Sequence, residues 1–225
     1  MKCAAIIAAA GTGNRFGGSI PKQFKEYESI PILIHTLRIF EKVPEIVSLI
    51  VTINPAWEEY AREMFSVHNM EKPLKIVPGG EERQDSIFNA LKSIKPADFD
   101  IILIHDAVRP FFSVELVNKI ISTAAEFGVA IPALTPNDTI KEIDTNGFVL
   151  RTHNRKKLCC IQTPQGFKPE IIVPAYDKAK TDCYYGTDDA ALAEYAGFPV
   201  KVIEGEESNI KITTPHDIDL GSLKV

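Results

Sequence analysis

The stretch that decides the fold is CAAIIAAAGTGNRFGG, at residues 3–18. Its first eight residues are apolar and predict a buried strand, and the rest form a turn rich in glycine. Because glycines let a ligand approach the backbone closely, such a turn can present amide N–H groups to an anion. Arg15 and, shortly after it, Lys22 add two fixed positive charges. Together these features predict a triphosphate site, and so a chain that handles a nucleotide.

Two familiar phosphate-binding loops do not match this turn. A dinucleotide-binding loop (G-x-G-x-x-G) needs a third glycine where this chain has Phe16. A Walker loop needs Lys followed by Ser or Thr after its last glycine, where Ser19 and Ile20 stand instead. A flexible surface turn after an edge strand therefore stays open as the simpler interpretation.

Short apolar runs alternate with segments of helical period along most of the chain. We expect strands at residues 3–10, 47–53, 75–77, 101–104, 129–133, 159–161 and 200–203, and helices at residues 32–40, 57–67, 84–94, 114–127, 169–178 and 187–196. Strand–helix alternation of this kind predicts an α/β fold, with a mostly parallel twisted sheet and helices on both faces. Ligands in such sheets gather at the carboxyl ends of the strands.

One segment breaks the alternation. Residues 135–151 are typical of a β-hairpin, with Asn146-Gly147 as the turn dipeptide, and they hold few large apolar side chains that could cover a core. We expect a projecting β-arm at about residues 135–157 that packs on a second subunit; a hairpin folded back on its own domain is the alternative. With no linker or internal repeat, residues 1–225 are predicted to form a single domain with this excursion.

The composition excludes several classes of protein. A net charge of −5 argues against a general nucleic-acid binder. No apolar run reaches the length of a membrane span, and the N-terminus does not resemble a signal peptide, so we expect a cytoplasmic protein without a membrane partner. The four cysteines show no C-x-x-C spacing and so do not suggest a zinc site.

Asp106 is the first candidate metal ligand. It follows the most hydrophobic strand in the centre of the chain, within IHDAVRP at residues 104–110. A carboxylate at a strand end near a phosphate loop suits Mg²⁺, which prefers oxygen ligands and substrate phosphates. The alternatives are a helix cap or an ion pair with Arg109. His105 beside it is expected to be a hydrogen-bonded structural group.

A second glycine-containing turn has a weaker signal. Gly79 and Gly80 lie between a predicted strand and helix, and their amides together with Ser86 could contact a nucleotide. A plain strand–turn–helix junction, with Asp85 or Ser86 as the cap, explains the same residues nearly as well.

Eight short motifs occur in an order that makes a resemblance specific: AAAGTGNR at 8–15, PKQF at 21–24, the glycine pair with Arg83 and Ser86, HDAVRP at 105–110, DTIK at 138–141, TPQ at 163–165, TDD at 187–189 and NIKIT at 209–213. The set resembles the 2-C-methyl-D-erythritol 4-phosphate cytidylyltransferase family, and also its close relatives, the ribitol-5-phosphate cytidylyltransferases. The matches run from residue 3 to about residue 217.

The resemblance implies a Rossmann-like nucleotidyltransferase fold, CTP as a substrate, Mg²⁺, and a homodimer that exchanges its arms. The implied CTP-binding residues are Ala9, Ala10, Gly11, Gly13, Gly80 and Ser86. The implied catalytic residues are Arg15, Lys22, Arg155 and Lys211, and those around the acceptor are Asp106, Arg109, Thr139, Thr163 and Thr187. Asp106 is also the implied metal ligand. Many relatives carry an aspartate where this chain has Ser208, so Glu207 is a candidate for a second carboxylate.

The leading functional hypothesis is cytidylyl transfer from CTP to 2-C-methyl-D-erythritol 4-phosphate, a step toward isoprenoid precursors, with pyrophosphate as the second product. Ribitol 5-phosphate as the acceptor, giving CDP-ribitol, uses the same catalytic set and is the alternative. A nucleotide-binding module without catalysis is a third hypothesis from another class, although Arg15, Lys22, Asp106, Arg155 and Lys211 are all present.

Overall fold

A computed structural model describes residues 1–11, 20–214 and 216–217. Within them one mixed sheet contains eight strands: β1 (Cys3–Ala9), β4 (Ile46–Ile53), β5 (Leu74–Pro78), β6 (Ile101–Asp106), β7 (Val129–Leu134), β10 (Cys160–Ile161), β11 (Gln165–Phe167) and β12 (Lys201–Glu204). Seven of these strands form a continuous path in the order β5–β4–β1–β6–β11–β7–β10, and β12 pairs with β7. Two short strands, β2 (Glu26–Tyr27) and β3 (Ile30–Pro31), pair separately.

The strands that carry the predicted nucleotide site are parallel. β1 pairs in parallel with β4 on one side and with β6 on the other, and β4 pairs in parallel with β5. Their carboxyl ends therefore meet at one edge of the sheet. This confirms the predicted mostly parallel sheet.

Helices cover both faces of the sheet, as predicted. They are α1 (Ile32–Glu41), α2 (Glu58–Val67), α3 (Arg83–Lys92), α4 (Val114–Phe127), α5 (Pro169–Thr181) and α6 (Asp189–Tyr195). Alternate residues of β1 point to opposite faces: Ala5 and Ile7 pack in the core with α1, α2 and α4, whereas Ala4 and Ile6 pack with α3, α5 and α6. Burial on both faces explains why β1 is apolar along its whole length.

One strand of the sheet was not predicted from the sequence. β11 runs antiparallel between β6 and β7, with Gly166 opposite Leu103 on one side and Ala130 on the other. A Cβ atom on Gly166 would lie 2.6 Å from the Ile120 side chain in α4. Glycine is therefore required where this short strand passes beneath the helix.

The predicted hairpin is present as a separate two-stranded sheet. It consists of β8 (Lys141–Ile143) and β9 (Val149–Thr152), which within the described residues pair only with each other. The turn is built on Asp144, whose side chain accepts hydrogen bonds from the backbone N–H groups of Asn146 and Phe148. Gly147 lies at φ +85°, a conformation that favours glycine. Four large apolar side chains of this arm are 58–72% exposed, namely Ile143, Phe148, Val149 and Leu150.

Candidate active site

A cavity of about 340 Å³ opens at the carboxyl ends of β1 and β6, beside the turn between β5 and α3. Eight of the residues predicted for the site line it: Ala9, Ala10, Gly11, Lys22, Gly80, Ser86, Asp106 and Lys211. The structure thus brings Ala10 and Gly11, where the opening turn begins, and the carboxylate after the central strand to one space. Two further predicted residues, Gly13 and Arg15, lie outside the described residues.

The end of β1 is held by a buried glutamine. The side-chain amide of Gln23 donates hydrogen bonds to the carbonyl oxygens of Ala9 at 2.7 Å and Gly11 at 2.9 Å. In a trans peptide the carbonyl and the following N–H point in opposite directions. The contact to Ala9 therefore fixes the Ala10 N–H on the side of the peptide away from Gln23. Gln23 belongs to the PKQF motif, and the sequence pattern alone does not indicate this role.

The two predicted lysines come from distant parts of the chain that lie against each other. Lys22 opens a short 3-10 turn, and its Nζ donates to the carbonyl oxygen of Ile212 at 3.0 Å. Ile212 is fully buried, and its N–H donates to the Val108 carbonyl just after β6. These contacts place Lys211 beside the end of β6, where it meets Asp106.

Asp106 lies at the centre of three positive charges. One oxygen of its carboxylate is 3.0 Å from Nε of Arg83, and the other is 2.8 Å from Nζ of Lys211 and 3.7 Å from Nε of Arg109. Burial alone would raise the pKa of Asp106, but the charges of Arg83, Lys211 and Arg109 outweigh it and hold the pKa well below its ordinary value. The carboxylate is therefore ionised at neutral pH. The ion pair with Arg109 that the sequence left open does form.

Arg83 also contacts a second carboxylate. Its two terminal nitrogens lie 3.0 and 2.7 Å from the two oxygens of Asp189, the fully buried first residue of α6. The hydroxyl of Tyr176 donates to the same carboxylate at 2.5 Å. Arg83 and Asp189 both belong to motifs of the sequence, but the motifs alone do not indicate that the two residues pair. The sequence feature that could have indicated a role for Arg83 is its position in the first turn of a helix, shortly after the pair Gly79-Gly80.

Thr163 is buried beneath Asp106. Its hydroxyl accepts a hydrogen bond from the Asp106 N–H at 3.2 Å and lies 2.9 Å from Nδ1 of His105. Burial lowers the pKa of His105 to about 3, so the ring is neutral. A neutral ring that accepts the Thr163 proton at Nδ1 donates from Nε2 to the Arg109 carbonyl at 3.1 Å. His105 is thus a structural group, as expected.

Five residues predicted for the acceptor side do not line this cavity: Arg109, Thr139, Arg155, Thr163 and Thr187. Thr187 is exposed in the segment before α6. Thr139 and Arg155 are exposed at the base of the arm, where the Arg155 guanidinium donates to the Asn137 carbonyl. Arg109 is largely buried, and its Nη1 donates to the Asn209 carbonyl at 2.7 Å. The cavity formed by one chain therefore gathers the described residues of the predicted CTP set together with Asp106, but none of these five.

The carboxylates near the cavity limit how a metal could be held. Across the described ranges, no three His, Cys, Asp or Glu side chains are grouped so that they alone could hold a metal ion. Glu207 is exposed and is not part of the cavity lining, whereas Glu206 accepts hydrogen bonds from the N–H and hydroxyl of Ser113. A cation that also takes oxygens from substrate phosphates needs only one or two carboxylates. Asp106 offers one such carboxylate, whose oxygens in this structure contact Arg83, Lys211 and Arg109.

No helix in the described part of the chain combines the length and the apolar character needed to cross a membrane.

Comparison with known proteins places this geometry in one family. The family model for IspD, 2-C-methyl-D-erythritol 4-phosphate cytidylyltransferase, matches residues 3–224. Proteins of that name from Bacillus thuringiensis (strain Al Hakam) and Pelotomaculum thermopropionicum are 39% and 41% identical over 213 and 218 residues. These alignments cover 95% and 96% of this chain, and 93% and 91% of the two relatives.

Solved structures agree with the sequence matches. The 4-diphosphocytidyl-2C-methyl-D-erythritol synthase of Anaerococcus prevotii superposes with a TM-score of 0.87 at 34% identity, covering 99% of this chain and 95% of that one. The 2-C-methyl-D-erythritol 4-phosphate cytidylyltransferase of Francisella tularensis gives a TM-score of 0.84 at 28% identity, with 100% of both chains covered. The chain therefore belongs to the 2-C-methyl-D-erythritol 4-phosphate cytidylyltransferase family.

Proposed function

We propose that this chain transfers the cytidylyl group of CTP to 2-C-methyl-D-erythritol 4-phosphate. The observation that carries the proposal is the cavity in which Lys22, Lys211 and the small residues at the end of β1 meet the ionised Asp106. Family membership over nearly the whole chain supports the same reaction. The reaction makes the chain a nucleotidyltransferase.

The residue types suit this chemistry. A phosphate oxygen of the acceptor attacks the α-phosphorus of CTP, the bond from that phosphorus to the bridging oxygen of the β-phosphate breaks, and pyrophosphate leaves with the electron pair. The attacking group is already an anion, so no general base is needed. The obstacle is the repulsion between two anions, which fixed cations reduce. We assign Lys22 and Arg15 to the triphosphate, and Lys211 and Arg155 to the acceptor phosphate.

A divalent cation, Mg²⁺ in the proposal, would be held by Asp106. The carboxylate is ionised, lines the cavity and offers oxygen ligands, which fits a hard cation that shares substrate phosphates. When bound, the cation would supply further positive charge near the triphosphate. Glu207 as a second ligand is not supported, because it lies away from the cavity lining.

The acceptor side of the site is proposed to be completed by a second subunit. Thr139 and Arg155 lie at the base of an arm that pairs with no strand of the main sheet and exposes four large apolar side chains. Such a surface is suited to burial against another copy of the chain. The single domain, the arm exchange and the cytoplasmic location stay predictions.

We propose 2-C-methyl-D-erythritol 4-phosphate as the acceptor and not ribitol 5-phosphate, because the relatives described above are named as 2-C-methyl-D-erythritol 4-phosphate cytidylyltransferases. Pyrophosphate release by purified protein with CTP and each polyol phosphate tests this. We expect kcat/KM to be at least about 100-fold higher for 2-C-methyl-D-erythritol 4-phosphate, since discrimination between polar substrates of this kind is large. A higher value for ribitol 5-phosphate would overturn the choice. CTP binding without pyrophosphate release with either acceptor would favour the non-catalytic module.

A further inference from the structure

We propose that Arg83 is a positioning residue for cytidylyl transfer, which fixes the Asp106 carboxylate relative to the segment that carries Thr187. This inference rests on the proposed function. It assigns to Arg83 neither a proton transfer nor a contact with the reacting phosphorus.

The guanidinium of Arg83 joins two parts of the fold that are far apart in sequence. Nε lies 3.0 Å from an oxygen of Asp106 at the end of β6, and the two terminal nitrogens contact both oxygens of Asp189 at the start of α6. Because a guanidinium is planar and its nitrogens form a rigid fork, these contacts fix the relative position of the two carboxylates.

Arg83 also determines which oxygen of Asp106 faces which cation. The Oδ1 atom is occupied by Arg83, so the Oδ2 atom is the one that lies 2.8 Å from Lys211. Without Arg83 both oxygens would be free to turn toward Lys211 and Arg109. The carboxylate would then lose the orientation that it presents to the cavity.

The other end of the link positions the start of α6. Asp189 has no exposed surface, and its partners are the two terminal nitrogens of Arg83 and the hydroxyl of Tyr176. Thr187 lies two residues earlier and is exposed. A shift of Asp189 would therefore carry Thr187 with it, so Arg83 ties the predicted acceptor side to the predicted CTP side.

The stability and activity of two variants distinguish an arginine that only stabilises the fold from one that positions Asp106. Arg83→Gln leaves the buried Asp189 charge without its main partner, so the variant is expected to lose stability as well as activity. Adding Asp189→Asn removes that unpaired charge. The double variant therefore separates the two roles, because it relieves the electrostatic cost at Asp189 without restoring the hold on Asp106.

The experiment measures thermal unfolding and the kinetics of pyrophosphate release for both variants. We expect Arg83→Gln to lower Tm by about 5–10 °C and kcat/KM by about 100-fold, the scale of a small misplacement of reacting groups. The double variant should regain most of the lost Tm while kcat/KM stays low. Lys92→Gln is the matched control, since it breaks a different ion pair of α3, that of Lys92 with Asp177 in α5 at 3.0 Å, away from the cavity. It should behave as wild type.

Recovery of kcat/KM together with Tm in the double variant would overturn the inference, because stability alone would then explain the loss. Near-normal kcat/KM in Arg83→Gln would overturn it as well. Wild-type protein that releases no pyrophosphate from CTP with the acceptor would instead overturn the proposed function. The two failures are therefore distinguishable.

Discussion

Mixing two inactive variants would show whether the arm of one subunit completes the cavity of another. Lys22→Ala damages the cavity and leaves the arm intact, whereas Arg155→Ala damages the arm and leaves the cavity intact. Lys22 lines the cavity, and Arg155 is exposed at the base of the arm. Each variant on its own should lose about 10²–10³-fold in rate, the usual loss when one charge that stabilises a transition state is removed.

The size of the recovery follows from the symmetry of the proposed dimer. Random pairing of equal amounts makes about half of the dimers mixed. If arms are exchanged, one site of a mixed dimer combines the intact cavity with the intact arm, and the other site combines the two damaged parts. About one site in four then works, so the mixture should reach about 25% of wild-type activity.

The assay is pyrophosphate release at saturating CTP and acceptor, after co-expression of the two variants with different affinity tags. Purification through both tags isolates the mixed dimer, which should have about half of the wild-type rate per subunit. If each arm folds back on its own cavity, no site in the mixed dimer is intact and activity stays at the level of the separate variants. That result, obtained with a mixed dimer of confirmed composition, would refute the exchanged arm.

Three further predictions concern single residues. Lys22→Ala alone should lower kcat by about 10²–10³-fold, whereas Lys25→Ala should leave it near wild type; normal turnover of Lys22→Ala at saturating CTP would contradict its role. Gln23→Leu removes both hydrogen bonds to the end of β1 and should raise the KM for CTP about tenfold, and an unchanged KM in steady-state kinetics would count against it. The pKa of His105 falls from 6.5 to about 3 on folding. Between these two values the unfolded chain binds a proton that the folded chain does not, so the free energy of unfolding falls as the pH falls. It should be about 2 kcal/mol lower at pH 5 than above pH 6.5, where this contribution is complete. Urea unfolding at pH 7 and pH 5 measures this, and His105→Gln with an undiminished pH dependence would refute it.

Elements governed by local pattern were predictable from the sequence. The predicted helix at residues 114–127 has the observed bounds of α4, because its ends have local signals. The Ser113 side chain accepts a hydrogen bond from the N–H of Leu116 at 3.0 Å, and Gly128 at φ +91° ends the helix. The apolar strand before the opening turn was likewise placed within one residue of β1.

Features that depend on distant partners were not predictable in the same way. β11 is three residues long and has no apolar run of its own; its position is set by β6 and β7, between which it is inserted. Arg83 and Asp189 are 106 residues apart in sequence, and the residues around either one do not indicate that the two side chains pair. The motifs thus identified the strand ends that form the cavity, whereas the ion pairs within it could be found only from the three-dimensional structure.

A crystal structure of the protein with CTP and Mg²⁺ tests the central claim most directly. The account predicts the nucleotide in the cavity between the ends of β1 and β6, with its triphosphate against Gly11 and Lys22 and the metal bound to Asp106. A nucleotide bound elsewhere, or a triphosphate directed away from both Lys22 and Asp106, would contradict it.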